Sequence, residues 1–453
     1  MRLDAQIPTL LAAGAAREEI TPPLEVGLLM SSVEGRWESF EGVRKPLFAR
    51  ALVLEGLSPA SPVNREQRVA VVSLDLLALS GKALGGFAEF KARVSAAAHH
   101  VVAPDDIVLV CTHTHSAPES GAITDLYRTV AFSEWATYLV GQIGQAIAAA
   151  AASLKPCHLA YGSTMEPGLG VHRRYKTTNG IMMSHPEPPA HMVLSREGAM
   201  DDSVNVVSVR DNQSRLIAVL INATCHPVYE MCYPQVSPDY PGELCSKFED
   251  EHPGGVALFL NGAAGNVNPK GVSAGPAAAQ THAERLSQAV NHVLENSTSV
   301  LSSELLLRRR SVRLPTRLPH GRDIGQTLST EIVGLRIGNS ACLFLPGEPF
   351  VETGIALRHV SPFEFTAVVG FAEDTVGYVP TDDAFADGGY ETAFGPWSIL
   401  APTSEGLLRQ EARILLEELA AAEDDFCLDE ANPAPHGLEF LRCKSVKAGD
   451  AHN

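Results

Sequence analysis

Short apolar runs alternate along the chain with segments whose apolar residues recur at helical spacing. RVAVVSLDLLAL (68–79) and DIVLVCTHTH (106–115) open as unbroken apolar runs and end in polar residues. Runs of this kind are strands buried on both faces rather than half-exposed ones. VNVVSVRD (204–211), LIAVLINATCHP (216–227), GVALFLNGAAG (255–265), LLLRRRSVRL (305–314), EIVGLRIGNSACLFLPGE (331–348) and EFTAVVGFAED (364–374) read the same way. Between them, 133–150 repeats apolar residues at Trp135, Tyr138, Leu139, Ile143 and Ala146. A second amphipathic helix over 279–294 carries Leu286, Ala289, Val290, Val293 and Leu294 on one face. A third over 404–421 is striped by Leu408, Ala412, Leu415 and Leu419. Strands and helices in this order predict an α/β fold, a single large mixed-sheet domain with flanking helices. It spans residues 12–422; the polar stretch 423–453 reads as an irregular tail.

Composition narrows the function. At 45% hydrophobic and 19% charged residues, the 453-residue chain is core-forming, which excludes a disordered or coiled-coil protein. The formal charge of −18 repels phosphates, so neither nucleic acid nor an anionic membrane surface is an expected partner. No apolar run is long enough to span a bilayer. The N-terminal stretch MRLDAQIPTLLAAG interrupts its apolar residues with Asp4 and lacks the form of a secretory signal. The eight cysteines are too sparse for a disulfide scaffold and include no CxxC pair. A cytoplasmic protein with reduced thiols is the expectation, with a homo-oligomer left open.

Candidate chemistry collects where the apolar runs stop, which is where open α/β sheets bind ligands. The first cluster is Cys111-Thr-His-Thr-His-Ser-Ala-Pro118. On an extended strand end, His113 and His115 at i, i+2 point to the same side. They are either metal ligands or solvated loop histidines. His226, in Asn222-Ala-Thr-Cys-His-Pro227, follows another strand, and the residue before proline is held extended. Beyond it, 237–243 reads as a turn-rich loop, with Asp239 and Glu243 as acids behind the site. Asn261-Gly-Ala-Ala-Gly-Asn-Val-Asn-Pro269 is rich in small residues that allow close backbone approach, or is simply a tight turn. Glu348 sits in Leu345-Pro-Gly-Glu-Pro349, and Tyr378 and Tyr390 lie in Gly377-Tyr-Val-Pro-Thr381 and Gly388-Gly-Tyr-Glu391. Two histidines, a glutamate and a tyrosine form an all-N/O donor set that suits Zn2+ with an open position for water.

In this order the clusters resemble the neutral (non-lysosomal) ceramidase family, specifically its N-terminal catalytic domain. The resemblance begins at Gly14-Ala-Ala-Arg-Glu-Glu-Ile-Thr-Pro-Pro23 and runs through 46–54, THTHSAP, NGAAGNVNP and PGEP to GYVPTDDAFADGGYE. It implies a zinc ion held by His113, His226, Glu348 and Tyr378. His115, Arg173 and Tyr390 would contact the reacting group, Tyr390 standing twelve residues after Tyr378. Departures are Asn268 where the family carries a serine, no room for the family's C-terminal immunoglobulin-like domain, and no membrane-binding amphipathic helix. The implied activity is a zinc-dependent hydrolase cleaving the C–N amide bond of a small or N-acyl substrate with metal-activated water, without stable membrane association. An esterase or lactonase on the same zinc site, or a non-catalytic zinc-containing binding protein, are the alternatives.

Overall fold

The computed structural model describes residues 11–27, 39–56, 67–300, 304–319 and 324–421; the expected tail at 423–453 lies outside them. Twelve strands follow one path through the main sheet. They are β1 (Leu11–Glu19), β2 (Phe48–Gly56), β3 (Gln67–Leu74), β4 (Ile107–Cys111), β5 (Lys155–Met165) and β6 (Ser203–Asp211). Then come β7 (Leu216–Ala223), β8 (Val256–Asn261), β9 (Leu305–Arg317), β10 (Ile324–Ile337), β11 (Ser340–Pro346) and β12 (Phe365–Ala372). Their spatial order is β8-β7-β6-β5-β1-β2-β3-β4-β12-β11-β10-β9. The six longer helices are α1 (Phe87–Ala97), α2 (Val130–Ala152), α3 (Asp239–Glu251), α4 (Pro276–Glu295), α5 (Val351–Val360) and α6 (Ser404–Ala421).

Within this sheet three strand pairs are parallel: β3 with β4, β7 with β8, and β11 with β12. Parallel neighbours need a crossover, and α1, α3 and α5 supply one each. These three units point the carboxyl ends of β4, β7, β8 and β11 towards the segments that carry His113, His226, the 261–269 loop and Glu348.

The sheet folds back on itself, so β7 and β8 pack over β2, β3, β4 and β12. Side chains alternate strictly between the two faces. Val69 and Val71 of β3, Leu258 and Leu260 of β8, and Phe344 of β11 share one inner core. Ala70 and Val72 face α1 and α2 instead. Ala257 and Phe259 face α3 and α4, and Leu343 and Leu345 face α5 and α6. With both faces buried, the strands read as continuous apolar runs rather than alternating ones. Two polar ties cross between the layers: Ser73 Oγ donates to Phe259 O at 2.6 Å, and Asn222 Nδ2 to Val368 O at 3.1 Å.

The sequence-based elements hold with shifted ends. The single run at 331–348 is a hairpin, because the chain reverses between β10 and β11 where Gly338 takes a φ of 56°. The turn-rich reading of 237–243 is corrected: α3 begins at Asp239. Asp239 accepts from the backbone N–H of Glu230 and Tyr240, and Glu243 pairs with Arg44 and Lys45. Proline and glycine after Tyr240 suggested a loop, but burial of Tyr240, Leu244 and Phe248 against β8 overrides local propensity.

One buried histidine gives the fold an acid limit. His282 of α4 stacks on Tyr240 at 4.0 Å, with Tyr229 Oη 3.1 Å from its Nδ1. Burial lowers its pKa from 6.5 to about 3. The folded state therefore binds fewer protons than the unfolded chain in that window, and stability present above pH 6.5 is lost as pH falls towards about 3. The loss is on the order of 5 kcal/mol over the whole window. His282→Leu is expected to flatten the fall of melting temperature with acid; an unchanged slope would remove His282 as its source.

Candidate active site

β4 ends at Cys111, and the chain turns sharply at His113, whose φ is 72°. A left-handed backbone is uncommon outside glycine and marks a position the surroundings over-determine. Here His113 N–H donates to Leu76 O at 2.9 Å, and its ring stacks on Phe371 at 4.1 Å. The expected extended i, i+2 geometry is thus corrected. His113 and His115 still meet, with ring centroids 5.0 Å apart, but a turn rather than strand alternation brings them together.

Hydrogen bonds fix the tautomers of the two central imidazoles. His113 Nδ1 lies 2.7 Å from Leu77 O, and His226 Nδ1 lies 2.8 Å from Ala264 O and 3.1 Å from Val267 O. A carbonyl can only accept, so each Nδ1 carries the proton and each neutral ring presents a lone pair at Nε2. Those two Nε2 atoms stand 3.2 Å apart. Glu348 Oε2 lies 3.4 Å from the first and 3.3 Å from the second, buried and without a hydrogen-bond donor.

Three electron-rich atoms this close repel one another unless a cation sits among them. Four-coordinate ions with ligand bonds of about 2.0–2.1 Å have ligand–ligand edges of about 3.3–3.4 Å by tetrahedral geometry. The His113–His226–Glu348 triangle matches one face of such a tetrahedron, so the donor set fits a metal ion. His115 also belongs to the cluster, its donor atom within 4.8 Å of those of His113 and His226. Both of its ring nitrogens are buried without a hydrogen-bond partner.

Glu348 and Tyr378 are neighbours in a two-residue parallel ribbon, pairing Glu348 with Tyr378 and Pro349 with Val379. Partners in register project to the same side, which sets Tyr378 beside the carboxylate. Burial raises the Tyr378 phenol well above its usual range, with Arg173 acting in the opposite sense. Burial also favours the protonated form of Glu348, but positive charge placed at the His113 and His226 Nε2 atoms outweighs it and holds the carboxyl well below the ordinary range. His226 is lowered to about 4, by burial and then by Arg173. His115 is held well below its ordinary range, by burial and then by His113.

Arg173 is buried across the cluster. Its Nε donates to Glu391 Oε1 at 2.8 Å and its Nη1 to Asn268 Oδ1 at 3.2 Å, with His226 Nε2 at 3.3 Å. Its Nη2 has no hydrogen-bond partner. Tyr390 stacks on Trp397 at 5.4 Å and meets the Tyr378 ring edge-on at 5.8 Å. His115, Arg173, His226, Asn268, Tyr378 and Tyr390 all line one cavity of about 360 Å³. Met183, Val228, Met231 and Val272 form its apolar wall. A second cavity of about 370 Å³ reaches His113 and Glu348 from the side of Lys82, Asp374 and Trp397. All seven residues singled out from sequence therefore converge.

Three further residues escaped the sequence reading. Glu391 is fully buried and binds both Arg173 and Arg174, its carboxyl held low by them against the effect of burial. Its place next to Tyr390 was the available signal. Asn261 sends its Nδ2 to Thr112 O at 3.2 Å and Cys225 O at 3.0 Å, the residues just before His113 and His226. It thereby ties the two histidine-bearing strands together. Asn268, noted only as a departure, accepts from Arg173. The glycine loop approaches backbone rather than a ligand: a Cβ on Gly265 would stand 2.4 Å from Glu348 O.

No protein-family model matches the sequence, and no curated protein matches it. Solved structures do. Neutral ceramidase from Pseudomonas aeruginosa superposes with a TM-score of 0.72 at 20% identity, covering 94% of this chain and 76% of that one. A ceramidase complexed with C2 gives 0.71 at 20% identity, covering 94% and 77%. At that identity the likeness establishes architecture, and functions differ freely among proteins of one fold. Across nearly its whole length, then, this chain has the fold of the neutral ceramidases.

Proposed function

We propose that the protein is a zinc-dependent hydrolase of C–N amide bonds. The observation that carries this reading is the triangle of His113 Nε2, His226 Nε2 and Glu348 Oε2, with edges of 3.2 to 3.4 Å, beside a cavity lined by Arg173, His115 and Tyr390. His113, His226 and Glu348 would hold the ion, with Tyr378 as fourth ligand. Zinc there supplies Lewis acidity, polarising a carbonyl and acidifying water. The remaining chemistry belongs to side chains. The Arg173 guanidinium, fixed by Glu391 and Asn268, offers Nη2 to the oxygen of the substrate carbonyl as negative charge develops on it. His115, kept neutral by burial, accepts or returns a proton at a ring nitrogen as the amine departs. The Tyr390 hydroxyl orients the carbonyl.

The apolar wall of Met183, Val228, Met231 and Val272 suits an acyl group, and methionines accommodate varied shapes. A volume of about 360 Å³ lies at the lower end of the range for small-molecule pockets, roughly 300–1,000 Å³. Small or medium N-acyl amides are therefore the substrate class. Incubating the protein with a series of N-acyl amides and matched esters, before and after chelation and with zinc restored, tests the reading. Amide cleavage that is lost on chelation and regained with zinc is expected. Activity untouched by chelation removes the metal; cleavage of esters alone favours the ester reading; no turnover with stoichiometric bound zinc favours a binding protein.

Backbone packing behind the metal is also testable. Gly265→Ala forces its new methyl against Glu348 O and Pro349 O. Zinc affinity should fall roughly 10- to 100-fold with the circular dichroism spectrum unchanged, as for other changes behind a ligand. Wild-type affinity in the variant would mean that Glu348 is not held by this contact.

A further inference from the structure

A second pocket lies outside the candidate active site, yet shares a turn with it. Arg317, at the end of β9, lines a cavity of about 240 Å³ together with Phe385, Gly388, Gly389, Thr392 and Ala393. Its guanidinium is sandwiched between Phe385, 5.3 Å from the ring centroid, and Phe394, at 5.6 Å. Nη2 donates to Ser398 O at 3.0 Å and Ser398 Oγ at 2.9 Å, while Nε is buried without a hydrogen-bond partner.

The setting differs from that of the fully buried arginines. Arg50, Arg173 and Arg174 each meet a carboxylate in the interior. Arg317 meets none among the described residues. Burial lowers its pKa with no carboxylate offsetting the effect. Asp382, Asp383 and Asp387, on the short helix that carries Phe385, are exposed, and Asp382 accepts from Thr403 N–H at 2.6 Å. A cation taken partly out of water without a counter-ion is destabilising, and an anion that enters the pocket relieves that cost. Gly388 presents no side chain, and a Cβ placed there would meet nothing within 4 Å, so the approach is open.

We propose that this pocket binds a small oxyanion, a carboxylate or a phosphate, and that the bound anion fixes the 388–393 turn that carries Tyr390. The guanidinium fork matches either group. The link to the active site is short. Ser398 Oγ, which accepts from Arg317, donates to Glu391 O at 2.7 Å, and the Glu391 side chain holds Arg173. Occupancy thus bears on Tyr390 and Arg173 together. The effect on turnover rests on the amide-hydrolase reading; binding itself does not.

The test titrates the full chain with sodium phosphate and with sodium acetate, against sodium chloride at matched ionic strength. Binding is followed by calorimetry and by the fluorescence of Trp397, which stacks on Tyr390. Saturable binding of phosphate or acetate beyond the chloride response is expected, the tighter of the two identifying the ligand class. Arg317→Gln should weaken it roughly 10-fold or more. Since that variant also loses the bond to Ser398, Ala393→Asp provides an independent arm. It leaves Arg317 and its contacts in place but supplies an internal counter-ion, and it too should abolish binding. No saturable response beyond chloride, or undiminished binding in both variants, overturns the proposal. A response that is saturable and Arg317-dependent, in a protein that cleaves no amide, retains the anion site and removes only the hydrolase.

Discussion

His226→Ala, and separately His113→Ala, should lose stoichiometric zinc and all measurable amide cleavage. Each imidazole contributes one Nε2 lone pair to the triangle. Metal content by atomic absorption is the primary measurement. Stability needs a separate reading, because His226 Nδ1 also satisfies Ala264 O and Val267 O. Both carbonyls keep a backbone donor, Val267 O the N–H of residue 226 and Ala264 O the N–H of Val267, so losing the imidazole bonds costs about 0.5–1.5 kcal/mol independently of any ion. Chelated wild-type protein is therefore the proper reference: the variant should melt below it by that amount, and zinc should raise the wild type alone. Full zinc content in both variants would overturn the ligand assignment. Loss of zinc in His115→Ala, with zinc retained in Glu348→Gln, would instead move the third ligand to His115, which lies in the same cluster.

Arg173→Met should leave zinc in place and lower kcat by roughly 10²- to 10³-fold, the usual cost of removing one donor to a developing oxyanion. The separation from the first result is the informative part, since one variant empties the site and the other disarms it. Methionine fills the space but leaves Glu391 buried beside Arg174 alone. Some stability is lost with it, as expected when one partner of a buried ionic group is removed. Arg173→Lys keeps a charge near Glu391 without the planar fork. If the guanidinium geometry matters, lysine should restore stability more fully than turnover. Equal recovery of both would reduce Arg173 to a structural counter-ion.

The apolar runs exposed most of the strands because the sheet is buried on both faces, which makes each strand a continuous hydrophobic signal. They also showed where chemistry begins, since each run stops at the residue before the site. The helices at 133–150, 279–294 and 404–421 were legible for the same reason: one face of each lies on the sheet. Elements with weaker patterns were not. α3 opens with Asp239-Tyr-Pro-Gly, a turn signature overridden by packing. β5 buries only Cys157, Leu159 and Tyr161, at alternate positions, and so lacks the continuous apolar run that marked the other strands.

At the candidate site, the residue types and their order in the chain were enough to nominate His113, His115, His226, Glu348, Tyr378 and Tyr390, and the family resemblance added Arg173. A lone histidine after a strand says little; four strand ends carrying donors say more, because strand carboxyl ends gather at one edge of an α/β sheet. What sequence could not supply was the distances between these residues. The 3.2 Å separation of two Nε2 atoms follows from which carbonyl each Nδ1 finds, and those carbonyls belong to Leu77, Ala264 and Val267, far away in sequence. Asn261 and Glu391 were invisible for the same reason, as their partners come from other strands. The sequence by itself determined the fold class, the positions where chemistry collects and the kind of donor present. Only the tertiary structure decided which donors stand close enough to share an ion, which arginines meet a carboxylate, and that Arg317 meets none among the described residues. Hydrophobic periodicity is a local property of the chain, whereas pairing of charges and lone pairs is settled by contacts between distant segments.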